Sequence, residues 1–279
     1  MNITFDTRLR VPFPEPDDLS LQSFYIFNLY RAGSSVLEAA AESFANMSRR
    51  TPNNVTRILY DARSEFVDNH DYSKPVIYLA DQGASLLRLC EVGGWLNYGF
   101  REVPLGFSSG FTQIGATLLI VRDPRDIGIS HFHALAKHDD THGVYGDHIR
   151  QARATAADKG LTDYLLSDEL IGFLTRICEG YRPMIQRGMP VVHYEDLFLD
   201  GEFSVALLCK SILERFSAYD DGSWSLERFV EDTQQRIRNS KALQGHATGG
   251  STKMYLALPD AVRDAYSERL RSSLEILGY

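Results

Sequence analysis

Four short apolar runs, separated by longer stretches of helical periodicity, predict an α/β fold: three layers, with a central, mostly parallel sheet flanked by helices. The runs are residues 24–30, 76–80, 117–121 and 190–194. Each has the length and the aromatic or β-branched content of a buried strand. The alternation with helical segments is what βαβ units need to bring successive strands parallel. At 279 residues, 44% of them apolar, the chain suits one domain spanning 1–279, and no linker, repeat or low-complexity tract divides it.

The elements follow in order. Met1 to Leu21, with Pro12, Pro14 and Pro16, reads as an extended N-terminal arm. Phe24-Tyr25-Ile26-Phe27-Asn28-Leu29-Tyr30 is the first strand. Helical spacing then predicts helices over 35–47, 84–91, 125–138, 161–182, 203–217, 225–240 and 259–276. Pro259 and Asp260 open the last of these, and Val262, Tyr266, Leu270, Leu274 and Leu277 line one side of it. The Gly143 to Gly160 stretch, within residues 139–160, is the best candidate for a lid or mobile loop.

Between the first strand and its helix stand Arg31-Ala32-Gly33-Ser34-Ser35. A strand that turns through small residues into a helix N-terminus aims backbone N–H groups at one spot, where the helix dipole favours negative charge. Arg31 adds a cation, and Ser34 and Ser35 add hydroxyl donors. The segment suits a phosphate or sulfate, although the G-x-x-x-x-G-K-[ST] pattern of ATP-binding loops is absent. An ordinary turn with Ser as N-cap accounts for the same residues.

A second anchor follows Thr117-Leu118-Leu119-Ile120-Val121: Arg122-Asp123-Pro124-Arg125-Asp126, with Ser130 eight residues beyond Arg122. Pro124 suits the first turn of a helix, so Arg122 falls at the strand end and Ser130 about two turns along the helix. One guanidinium and one hydroxyl so placed can grip a second phosphate. A surface ion pair between Arg122 and Asp126 is the plainer alternative.

Together these segments resemble the sulfotransferases that use 3′-phosphoadenosine 5′-phosphosulfate (PAPS). Tyr30-Arg31-Ala32-Gly33-Ser34-Ser35 is similar to that family's Y-P-[KR]-S-G-[ST]-[ST], without the intervening Pro. Arg122-Asp123-Pro124-Arg125-Asp126 and Ser130 match R-[DN]-P-[KR]-D-x-x-x-S at every fixed position. His193-Tyr194-Glu195-Asp196-Leu197 resembles the family's Y-E-D-[LM] strand end. Gly249-Gly250-Ser251-Thr252-Lys253 resembles a degraded R-K-G-x-x-G-D-W-K loop, with Gly245-His246-Ala247 where the Arg-Lys pair belongs.

The resemblance implies a sulfotransferase or nucleotide-kinase type of P-loop-like architecture and transfer of a sulfuryl group from PAPS to a hydroxyl. It implies that Arg31, Ala32, Gly33, Ser34 and Ser35 cradle the 5′-phosphosulfate, with Arg31 neutralising the leaving oxygen. Arg122 and Ser130 would hold the 3′-phosphate, Tyr194 would lie beside the nucleotide, and His246 or Lys253 would cover the far side. No metal is required, and a solvated Arg125 is expected. The base expected from the resemblance is Glu102, two residues before Pro104 and 20 before Arg122, where cytosolic members carry a His. An ion pair of Glu102 with Arg101 or Arg125 competes with that role. His131, His133 and Asp81 are the other candidate bases. A core or surface place competes for the two histidines.

The acceptor expected is a glycan or lipid-linked sugar, as in similar bacterial enzymes, with a small alcohol or phenol as the alternative. Trp95, Tyr98 and Phe100 would stack on either. A nucleotide kinase of related fold is disfavoured by the missing Lys after the Gly-rich turn. A non-catalytic nucleotide-binding protein is a third alternative, made credible by the missing Arg-Lys pair.

A net charge of −8 argues against nucleic acid as partner. Cys90, Cys178 and Cys209 are too few and too scattered for a disulfide framework or a zinc site, and read as buried thiols in a reducing compartment. His138, Asp139, Asp140, His142 and His148 lack regular ligand spacing and read as a solvated loop. With no apolar run of membrane length and no leader-like segment, a cytoplasmic protein without an integral membrane segment is expected.

Overall fold

The computed structural model describes residues 2–5, 9–58, 87–103, 105–137, 147–219, 224–240 and 251–279; of residues 2–5, 9, 10, 136, 137, 147–153 and 155 it describes the backbone alone. The expected strand at 76–80, Asp81, residues 139–146 of the expected lid and His246 lie outside the described residues.

The sheet is of the predicted kind, and two of its strands, over 51–54 and 95–100, were not expected. Among the described residues five strands run parallel: β3 (Phe24–Asn28), β4 (Thr51–Asn54), β5 (Trp95–Phe100), β6 (Thr117–Val121) and β7 (Val191–His193). Their spatial order is β4-β5-β3-β6-β7, so the first of the five in sequence is the central one. Crossovers leave β3 toward β4 and then pass to the other side at β6. The sheet therefore reverses direction beside β3, and such a switch opens a crevice at the strands' carboxyl ends.

β3 shows how the layers form. All five of its residues are buried, and successive side chains face opposite ways. Phe24 stacks on Phe44 and Phe216, which belong to α1 (Ser34–Met47) and α6 (Val205–Phe216). Tyr25 and Phe27 meet Phe111 edge-on, and Phe27 also meets Phe107 of α2 (Leu105–Gly110). One helical layer thus contains α1, α6 and α7 (Leu226–Asn239). The other contains α2, α3 (Pro124–Lys137), α4 (Asp147–Leu165), α5 (Asp168–Gln186) and α9 (Arg271–Leu277). α8 (Asp260–Arg269) leads into α9.

Several expectations need correction. The N-terminal arm is not merely extended: β1 (Asn2–Phe5) and β2 (Leu9–Pro12) pair antiparallel, and Phe13 packs buried against Trp95. β4 and β5 carry no clean apolar run, because Thr51-Pro52-Asn53-Asn54 is polar and Trp95–Phe100 includes Asn97 and Gly99. Their polar residues are paired instead: the buried Asn53 Nδ2 donates to Asn97 Oδ1 at 2.8 Å. The helix expected over 161–182 is two, α4 and α5, separated where Ser167 caps the second by accepting from Leu170 N. The helix expected over 259–276 breaks at Leu270 into α8 and α9. Residues 147–160 of the expected lid belong to α4, whose backbone departs from helical geometry at Gly160. No described helix is long and apolar enough to cross a membrane. Cys178 and Cys209 are buried and Cys90 is half-buried; all three are free thiols pushed up to between about 11 and 12, chiefly by burial.

Candidate functional site

At the carboxyl end of β3 the chain makes a sharp turn. Arg31 has φ 62°, a left-handed backbone that a non-glycine residue adopts only at a cost. Gly33, at φ 72°, is the N-cap of α1 and supplies no side-chain hydrogen bond to it. The ordinary Ser-capped turn is therefore not what forms. A Cβ at Gly33 would also stand 2.9 Å from Tyr194 Cε2, so glycine is required by both conformation and space. α1 runs 14 residues and has no acidic residue in its first turn to occupy its positive end.

Arg31 lies half-buried across α3. Its Nε donates to Ser130 Oγ at 3.1 Å, and Nη2 reaches the Ser130 carbonyl at 3.4 Å. Burial lowers its pKa first; Tyr30 opposes, and the positive charges of Arg122 and Arg101 add to the lowering. Three guanidinium groups therefore bear on this one point, which is a place for an anion.

Arg122, at the end of the neighbouring β6, is only 4% exposed. Nη1 donates to the Arg31 carbonyl and Nη2 to the Ser251 carbonyl, both at 2.7 Å. Its guanidinium carbon stands 4.7 Å from the Tyr194 ring centroid. Nε is buried with no hydrogen-bond partner among the described residues. One cation thus ties together the β3 turn, the C-terminal loop and the Tyr194 ring at the start of the short turn 194–197.

The rest of the second motif is structural. Asp126 is fully buried and makes no surface pair with Arg122; it accepts from Lys253 N at 2.5 Å and Tyr255 N at 3.2 Å. Burial raises its pKa, and those two backbone donors work against the rise. Asp123 grips Arg125, whose guanidinium stacks on Tyr255 at 3.7 Å, so Arg125 is not solvated as expected. Lys253 adopts φ 58° with its side chain exposed; its contribution to the fold is its backbone N–H.

The candidate bases part company. Glu102 forms an ion pair with Arg176 of α5, neither Arg101 nor Arg125 being the partner. His133 is exposed. His131 packs among Tyr30, Phe173 and Tyr164, and its Nδ1 lies 3.0 Å from the Tyr164 hydroxyl. Burial, then the charge of Arg31, push its imidazole down to about 4, so it is neutral at pH 7. Trp95 and Phe100 are core residues, 0% exposed, and are not the stacking platform expected of them; Tyr98, 3% exposed, borders a cleft beside β3.

The structure brings Arg31, Gly33, Arg122, Ser130 and Tyr194 together with Ser251 and the start of α1. Sequence reasoning missed the Ser251 carbonyl, Tyr164 and Phe173, since a backbone acceptor and an aromatic on a distant helix leave no motif. Neither a protein-family model nor a curated protein matches the chain.

Proposed function

We propose that this protein transfers a sulfuryl group from PAPS to a hydroxyl acceptor. The observation that carries the reading is the meeting of Arg31 and Arg122 at one point. They end adjacent parallel strands, and one accepts through its carbonyl what the other donates. Residues present there fit a bisphosphorylated nucleotide. Arg122 keeps a buried Nε without a partner, Gly33 leaves the α1 N-terminus without a side-chain cap, and Ser130 offers a hydroxyl already aligned with Arg31.

Bound PAPS supplies an activated sulfur whose bond to the 5′-phosphate oxygen breaks as the acceptor oxygen bonds to it. The chain's part is to hold and neutralise. Arg31, with the N–H groups of Ser34 and Ser35, faces the 5′ end and the negative charge that builds there. Arg122 and Ser130 hold the 3′-phosphate, and Tyr194 shapes the wall between. Glu102 is the proposed proton acceptor. A second reading assigns that task to His131, favoured by its contact with Tyr30 and its neutral form.

Calorimetry with 3′-phosphoadenosine 5′-phosphate (PAP), the desulfated product, tests the reading. Wild type binds PAP, while magnesium–ATP is neither bound comparably nor hydrolysed. No PAP binding, or ATP preferred over PAP, overturns the assignment. With PAP binding intact, Glu102→Gln and His131→Asn separate the two bases, since only the true base loses turnover by about 10²–10⁴-fold.

A further inference from the structure

On the other side of β3 from Arg122, a cleft of about 410 Å³ opens between the ends of β3, β4 and β5 and the first turns of α1. That size suits a small ligand. Asn28, Ser34, Glu38, Asn54, Arg57 and Arg101 line it. Asn28 is 0% exposed, and neither its Oδ1 nor its Nδ2 has a hydrogen-bond partner among the described residues. Other parts of the wall are held: Thr56 Oγ1 donates to the Gly99 carbonyl, Asn54 Oδ1 accepts from Arg57 N at 3.2 Å, and Arg57 pairs with Glu38 at 3.3 Å. A buried carboxamide with both ends unused is rare and costly unless something else meets it.

The cleft also adjoins the anion site. Ser34 belongs to both, and Arg101 on its rim acts on the charge of Arg31. We infer that this cleft is the acceptor site and that it takes a sugar, with the Asn28 carboxamide reading two neighbouring hydroxyls. A carboxamide offers an N–H donor group and a carbonyl acceptor side by side, and vicinal hydroxyls answer both. Glu38 and the two guanidinium groups add further acceptors and donors at the rim. A phenol, with a single hydroxyl, would leave one end of the Asn28 carboxamide unpaired, and Tyr98, the aromatic among the lining residues, is only 3% exposed. The inference rests on the sulfotransferase reading and gives it a substrate class.

Saturation-transfer NMR on the PAP-loaded protein tests it, with D-glucose, N-acetyl-D-glucosamine and D-glucuronate as probes and 2-naphthol as comparison. At least one sugar receives saturation and 2-naphthol does not. Asn28→Leu abolishes that transfer at least tenfold, with PAP affinity within threefold of wild type and a melting temperature equal or higher. A merely structural Asn28 would lower the melting temperature and leave the sugar signal. Glu38→Ala, on the face of α1, weakens the sugar signal without touching the strand. Transfer to 2-naphthol alone, to no probe, or undiminished in both variants overturns the inference while leaving PAP binding as the separate measure of the function. Loss of PAP binding in Asn28→Leu places the residue in the nucleotide site and overturns it as well.

Discussion

Arg31 and Arg122 are the same residue type at the ends of neighbouring strands, yet the fold uses them differently. Arg122 is buried and hydrogen-bonded to two backbone carbonyls from distant segments. Arg31 is half-buried, held by a single serine, with its own backbone in a conformation that only surrounding structure maintains. One guanidinium assembles the site and the other is presented by it. Two cations placed symmetrically in a motif need not play symmetrical parts, because burial decides which can be removed without disturbing the loops.

The strongest test of that contrast is a pair of alanine variants. Arg122→Ala leaves the carbonyls of Arg31 and Ser251 without a donor, so it should cost about 2–4 kcal/mol in urea unfolding as well as PAP binding. Arg31→Ala should cost under about 1 kcal/mol of stability, since Ser130 is not buried, but weaken PAP binding by about 10–100-fold. Equal destabilisation by the two would erase the distinction between assembling and presenting.

Next in size is Gly33→Ala, which asks whether Tyr194 truly bears on the turn. The left-handed backbone alone costs about 1–2 kcal/mol. Gly188→Ala measures that cost by itself, at φ 77° with nothing near the added methyl. At Gly33 the methyl meets Tyr194 as well, so the loss should be larger and PAP binding should fall with it. Equal losses would mean that the ring simply moves aside.

The Arg31 side can also be probed through pH. In the unfolded chain His131 takes a proton near its ordinary 6.5, whereas in the fold it waits until about 4. Between those values the unfolded state binds more protons, so stability falls as pH drops through the window and is untouched by His131 above it. The loss should approach about 2 kcal/mol, discounted for partial exposure, and His131→Asn should flatten it. A pH profile of urea midpoints for both proteins decides the matter; identical slopes would place the imidazole in solvent.

How much of this was legible in the sequence follows the same division. β3 and β6 were readable because they lie inside the sheet, buried on both faces, and are apolar but for Asn28 and Thr117. β4 and β5 were not, because Asn53 and Asn97 pair inside the sheet and masquerade as loop residues. The motif positions Arg31, Arg122 and Ser130 converge as their spacing suggests. Their partners do not announce themselves: Arg122 is satisfied by a carbonyl at Ser251, which any residue could supply. Asp126 looked like a surface charge and is a buried clamp on the C-terminal loop, a role visible only once Lys253 and Tyr255 fold back over α3.

That clamp gives the smallest and most discriminating test. Lys253 contributes its backbone N–H to Asp126 while its ammonium is exposed, so Lys253→Ala keeps the loop's anchor and removes only a solvated charge. Stability should change by less than about 0.5 kcal/mol, and PAP affinity by less than about fivefold. Asp126→Asn disturbs the same loop from the other end, where a neutral amide replaces the buried carboxylate that receives two backbone donors, and should cost more on both measures. If instead Lys253→Ala has the larger effect on PAP, its side chain must turn inward over the nucleotide on binding. The presented set would then include a second cation beside Arg31, and the asymmetry between the two strand ends would be a property of the free protein alone.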